Sequence, residues 1–84
     1  MQEKFRYLKF LPVNIKYKLL ALAEEELSED EYWIFRYSII EDRYLANICE
    51  KLAIGKTKYK EVKNIMLAKV DKIFRDLFEK KVGK

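Results

Sequence analysis

Ile48-Cys49-Glu50-Lys51-Leu52-Ala53-Ile54-Gly55-Lys56-Thr57-Lys58-Tyr59-Lys60-Glu61-Val62 is the stretch that decides how this chain folds. Its apolar residues keep helical spacing on both sides of Gly55, the only internal glycine. Two helices that cross steeply through a short turn need a small residue where their backbones approach. They also need apolar residues around the turn, and two more on the inner face of the second helix. Ile48 is the first anchor and Cys49 the small residue at the contact. Leu52 and Ile54 bracket the turn, and Tyr59 and Val62 face inward. This is the spacing of a helix-turn-helix. Gly55 stands where Ser or Thr often caps the second helix. Ala53 replaces the glycine commonly found before the final turn residue, so a positive-φ position there is less comfortable.

Removing the inward Tyr59 and Val62 from the second helix leaves Lys56, Thr57, Lys58, Lys60, Glu61, Lys63 and Asn64 outside. These side chains match the chemistry of the major groove. Lys donates to guanine, Asn pairs in bidentate fashion with adenine, Glu accepts from cytosine, and the Thr methyl meets the thymine methyl. The lysines also neutralise phosphates. Arg43 and Asn47, from the preceding segment, complete the candidate DNA-binding set. An ordinary helical hairpin with a solvated basic face is the bland alternative.

Towards the N-terminus, Ser28-Glu29-Asp30-Glu31 is a capping box, with Leu27 and Tyr32 in the two positions of a hydrophobic staple. A helix therefore starts there and runs through Trp33, Phe35, Tyr37 and Ile40. It is apolar on more than one side and belongs in the centre. Its aromatic residues read as core before they read as a base-stacking platform. Glu41-Asp42 is a plausible break, with Asp42 available to cap the next helix. Before Ser28, Pro12 opens a segment in which Ile15, Leu19, Leu22 and Ala23 recur at helical spacing. Glu24, Glu25 and Glu26 oppose the helix dipole at its end, where fraying is expected. Residues 3–11 are ambiguous: Phe5, Leu8 and Leu11 fit a helix, while Tyr7 and Phe10 blur the pattern. After Gly55 nothing breaks the chain until about Lys81, and an apolar stripe runs through Met66, Val70, Ile73 and Leu77, widened by Leu67, Phe74 and Phe78.

The expectation is an all-α chain of 84 residues with helices near 13–27, 29–40, 44–53 and 56–80. One domain spans 1–84: a helical extension to 27, a helix-turn-helix core over 28–70, and the end of a long C-terminal helix over 71–84. The expected core is Leu19, Leu22, Trp33, Ile34, Ile48, Cys49, Leu52, Tyr59, Val62 and Met66.

Composition narrows the function. The chain has no histidine, which removes His-based metal sites, His general bases and Ser-His-Asp triads. Its one cysteine excludes an internal disulfide and suggests a reducing compartment. At a helix–helix contact that thiol should be inert. Neither an enzyme, a metal nor a cofactor is expected. No apolar run is long enough for a bilayer, and the opening residues lack a signal-peptide pattern, so the expected setting is cytoplasmic with no membrane partner. The formal net charge is +4, but residues 1–42 carry 6 Lys/Arg and 9 Asp/Glu, against 12 and 5 in residues 43–84. That asymmetry points to an anionic partner for the second half.

Leu27-Ser28-Glu29-Asp30-Glu31, Phe35-Arg36-Tyr37 and Ile48 to Tyr59 together resemble region 4 of bacterial sigma factors. Tyr59 to Val70 is closer still to small phage regulators of the RinA/ArpU type. The resemblance covers about residues 27–70. The chain departs from it at Cys49 for Ala, Ala53 for Gly and Gly55 for Ser. The resemblance implies a transcription regulator, phage or mobile-element encoded, that reads double-stranded DNA and touches RNA polymerase. The long C-terminal helix is the expected contact of a homodimer. The rival reading is a small helical protein-interaction module whose partner is a protein, with no reading of DNA.

Overall fold

The computed structural model describes residues 3–82, with side chains as far as Leu77; the stripe residue Phe78 and the tail lysines Lys80 and Lys81 lie outside the described side chains. Every regular element among these residues is helical. A 3₁₀ helix, Glu3–Phe10, leads into α1, Val13–Ala23. Next come α2, Glu29–Ile34, continued by a π-helical segment, Phe35–Ile40; then α3, Leu45–Leu52, and α4, Lys56–Val82. The fold is all-α, as expected. Twenty-seven residues of α4 at about 1.5 Å each give roughly 40 Å, which sets the 44 Å long dimension of the molecule.

The N-terminal segment is 3₁₀ because its sequence has a period of three. Phe5 and Leu8 are buried and Leu11 packs against the core behind them. Residues three apart stack on one face of a helix with three residues per turn. An α-helix would swing them apart by about 60° at each step.

In α1, Leu19, Leu20 and Ala23 face the core together with Lys16. The helix stops at Ala23, where Glu26 and Leu27 donate backbone hydrogen bonds to the Ala23 carbonyl. The acidic run is a turn outside the helix. The predicted core residue Leu22 is 46% exposed: it lies one residue from Ala23, about 100° round the helix.

Ser28 opens α2 with both halves of the capping box. The Glu31 backbone N–H donates to Ser28 Oγ at 3.2 Å, and the Ser28 N–H donates to Glu31 Oε1 at 2.9 Å. Ile34, Phe35, Ser38 and Ile39 then continue the inward stripe from Glu31. Trp33, expected in the core, lies on the other side and is only half-buried. The Ser38 hydroxyl donates to the Ile34 carbonyl. The helix closes with a wide turn, Glu41 donating back to Arg36 and Arg43 to Tyr37. Asp42 does not cap α3. It takes a left-handed conformation (φ 53°) that reverses the chain, a position Asp tolerates better than most residues. The residue before α3 is Tyr44, with no side-chain cap.

The link between α3 and α4 is three residues, Ala53, Ile54 and Gly55. Ile54 donates to the Cys49 carbonyl at 3.1 Å and Ala53 to Glu50 at 3.3 Å. This pair of bonds closes a helix through a left-handed residue. Ala53 is that residue, at φ 56°, ψ 47°. Ile48 is fully buried, while Cys49, Leu52, Ile54 and Val62 are partly buried against the core.

Two polar ties cross the core at α4. Lys69 Nζ donates to Glu31 Oε1 at 2.8 Å and to the Glu26 carbonyl at 3.2 Å. On the other side Tyr7 donates to Asp71 Oδ1, and Arg75 Nε donates to Asp71 Oδ2 at 2.8 Å. Tyr7 also packs on Phe74, ring centroids 5.3 Å apart. Burial, then the bond to Asp71 and its charge, hold the Tyr7 phenol well above its ordinary value.

Two predictions follow from these contacts. Because Ala53 sits where an L-residue is disfavoured by about 1–2 kcal/mol, Ala53→Gly should raise stability. The gain expected is about 0.5–1 kcal/mol after the extra unfolded-state entropy of glycine, a rise of roughly 3–6 °C in Tm; an unchanged or lower Tm would contradict the left-handed assignment. The second concerns Glu31. Burial pushes its carboxyl up, but the Lys69 and Ser28 hydrogen bonds outweigh it, and the net shift is downward. A depressed carboxylate contributes stability that is present above its unfolded value and lost as pH falls through the folded one. Glu31→Gln should therefore cost about 1–2 kcal/mol in urea unfolding at pH 7, and the gap to wild type should shrink towards zero near pH 2–3.

Candidate nucleic-acid interface

The first two turns of α4 carry most of the expected site. Gly55 accepts the first hydrogen bond of the helix, from Tyr59 N–H at 2.9 Å. Around a helix at about 100° per residue, Lys60, Asn64, Thr57 and Glu61 fall within one sector of about 100° opposite the inward Tyr59, Val62 and Met66. All four are exposed. Lys56 and Lys63 lie on one flank of this sector and Lys58 on the other. Lys58 is thus separated from Lys60, two residues on, by nearly half the circumference. The seven residues expected on this helix are not one basic stripe but an outward polar row edged with lysines.

Arg43 and Asn47 approach the same end, but each is already engaged. Arg43 Nε donates to Glu41 Oε1 at 2.6 Å, and Arg43 Nη1 to Asn47 Oδ1 at 3.0 Å. The Arg43 bond is the main reason the Glu41 carboxyl lies below its ordinary value. The Arg43 guanidinium also covers the Tyr37 ring at 5.1 Å, and Arg36 covers Trp33 at 5.6 Å. Trp33 stacks on Tyr37 with centroids 5.5 Å apart. These ring faces are occupied by cations of the same chain, and Phe35 is fully buried, so the aromatic row does not offer a stacking surface.

Lysines further along divide by role. Lys69 is tied to Glu31 and Glu26, so its ammonium holds α4 against α2. Lys72 is exposed.

The structure adds residues that sequence reading did not place here. A cleft lined by Lys9, Arg43, Tyr44, Lys60, Lys63 and Asn64 runs beside the outward row. It adjoins a second cleft that shares Lys9, Asp42 and Lys63 and extends to Arg6 and Lys16. Tyr44 stands 86% exposed at its edge. Lys9 Nζ meets Asp42 Oδ1 at 2.9 Å, and this contact holds the Asp42 carboxyl below its usual range. Burial and the nearby Lys9 push the Lys63 amine down, with Asp42 opposing. Burial likewise raises the Tyr59 phenol, with the Ser38 hydroxyl opposing. The signal for Arg6 and Lys9 was available: with Glu3 they share the same period of three as the buried face. Counting charge by halves hid them, because the acidic residues from Glu24 to Glu31 dominate the first half.

No protein-family model, no curated protein and no solved structure matches this chain. Among the described residues no helix is long and apolar enough to cross a membrane.

Proposed function

We propose that α3, the Ala53–Gly55 turn and α4 form a helix-turn-helix, and that the chain is a sequence-specific, double-stranded DNA-binding transcription regulator similar to sigma region 4 and to small phage regulators. The observation that carries this reading is the placement of Thr57, Lys60, Glu61 and Asn64 as one exposed polar row, with lysines on both edges. A helix in the major groove meets base edges along its outer face and a phosphate strand on either side. In this reading the row reads bases, Lys58 neutralises one strand, and Lys56 and Lys63 neutralise the other. Arg43 keeps unused guanidinium donors for a phosphate, and Asn47 its amide N–H groups.

The stripe of α4 is covered within the chain as far as Val70, with Ile73 and Phe74 packed against the core. A homodimer contact through this helix would therefore begin at Leu77, which is 41% exposed. RNA polymerase is the protein partner that the sigma-like reading proposes. One observation favours the interaction-module alternative: Phe10, Val13 and Tyr17 are apolar and exposed at the start of α1, where a protein partner could seat.

Affinity for DNA fragments at two salt concentrations separates the readings. Asn64→Ala should cost about 1–3 kcal/mol on a selected site and little on unrelated sequence. Lys58→Ala should weaken binding on every sequence and flatten the salt slope by about one. Lys72→Ala should bind like wild type. If Lys58→Ala is neutral while Lys72→Ala loses affinity, the groove-facing helix is misassigned; if no fragment binds in a salt-dependent way, the protein-partner reading replaces it.

A further inference from the structure

We infer that the cleft between the 3₁₀ helix, α1 and α4 is a binding site for a phosphoryl oxyanion, held by Arg6, Lys9, Lys16 and Lys63. None of Arg6, Lys9 and Lys16 belongs to the groove-reading row, and the inference stands without that reading. The cleft has a volume of about 560 Å³ and is also lined by Glu3, Phe10, Ile39 and Asp42. Four cations from three separate elements meet there against two carboxylates.

The carboxylates do not use up the cations. Glu3 faces Arg6 at 3.8 Å, with both side chains largely in water, where such a pair is weak. Asp42 pairs with Lys9 at the rim, its side chain 74% exposed. Lys16 and Lys63 have no carboxylate within ion-pair distance among the described residues. The Lys63 amine stands 5.5 Å from the Tyr59 ring and feels Asp42 only at longer range. Lys16 keeps 8% of its surface exposed, so its stem is packed into the wall of the cleft, and the single carboxylate of Asp42 is shared among the fields of Lys9, Lys16 and Lys63. Burial and the nearby Lys9 hold the Lys63 amine down by more than Asp42 offsets. An anion seated among the four cations offsets the surplus of positive charge in the cleft.

The arrangement selects the class of anion. A planar carboxylate is matched by one guanidinium fork, whereas ammonium groups act as point charges that can approach from several sides. Four donors around one space suit a tetrahedral group with several oxygens and up to two charges. Buried Ile39 supplies an apolar floor, where charge attraction is stronger than in water. Two sources carry this chemistry: a backbone phosphate of DNA lying along the adjoining cleft, and a small free phosphate ester.

The test uses the full ¹⁵N-labelled chain, titrated with inorganic phosphate against chloride at matched ionic strength. Saturable amide shifts are expected around Arg6, Lys9, Lys16 and Lys63. Lys16→Met, which keeps a long apolar stem in place, should weaken phosphate binding at least fivefold, and so should Lys63→Met; Lys72→Met should not. Anisotropy with a labelled duplex of about two turns then distinguishes the sources. If both Met variants lower duplex affinity several-fold and flatten the salt slope by about one, the group is a backbone phosphate. If duplex affinity is unchanged while phosphate binding is lost, the site takes a free phosphate ester. Equal shifts with phosphate and chloride, with Lys63→Met binding duplex like wild type, would overturn the inference. Thermal melts report on folding; if Lys16→Met does not fold, the wild-type titration and Lys63→Met decide. Asn64 does not line this cleft, so a neutral Asn64→Ala result would count against the groove reading and leave this one standing.

Discussion

The inward stripe of α4, with Tyr59, Met66, Leu67 and Val70 all buried, is the wall on which every other element rests. The 3₁₀ helix, α1, α2 with its π-helical continuation, and α3 all pack against it. A chain of 84 residues has a small core, and each fully buried Leu, Ile or Phe contributes about 1.5–3 kcal/mol. One shared helix lets several short segments bury an apolar face that none could bury alone. Helices as short as α2 and α3 are not stable by themselves in water, so their existence follows from that wall.

Apolar burial has no direction, and the polar ties supply one. Lys69 on Glu31 fixes α4 along α2, and Asp71 between Tyr7 and Arg75 fixes it beside the N-terminal segment. A buried carboxylate whose partner shifts by one helical position loses its bond and keeps its desolvation cost. The two contacts lie two residues apart on α4, and they restrict both its rotation and its translation against the layer beneath. The capping box adds to this, since Glu31 serves as cap and as partner of Lys69.

Much of this was legible in the residues. Ser28 and Glu31 announced α2 because a capping box is a local pattern. Ala53 stood out at the turn because a left-handed residue is wanted there. Exposure of Thr57, Lys60, Glu61 and Asn64 followed from subtracting the inward positions of one helix. The misses share a cause. Tyr7 and Phe10 blur residues 3–11 at a period of 3.6, whereas Phe5, Leu8 and Leu11 are regular at 3.0, and with that period the cleft-facing Arg6 and Lys9 were missed too. Leu22 and Trp33 were placed in the core by apolar character, whereas neighbours in space put Leu20, Phe35 and Ile39 there instead. Lys16 gave no sign of burial, because nothing local distinguishes it from Lys18, which stays in water.

The unbroken length of α4 also makes it a lever. No Gly or Pro interrupts it between Lys56 and Val82, so it has none of the usual causes of a kink. Thr57 lies thirteen residues from Val70, or about 20 Å along the axis. A tilt of about 5° at Val70 would carry Thr57 sideways by roughly 1.7 Å, over half the length of a hydrogen bond. The aim of the outward row is thus set at both ends of the core, by Tyr59 and α3 beside it and by the Tyr7 and Glu31 ties further along, and a change at Tyr7 or Glu31 would be felt at Thr57 without touching it.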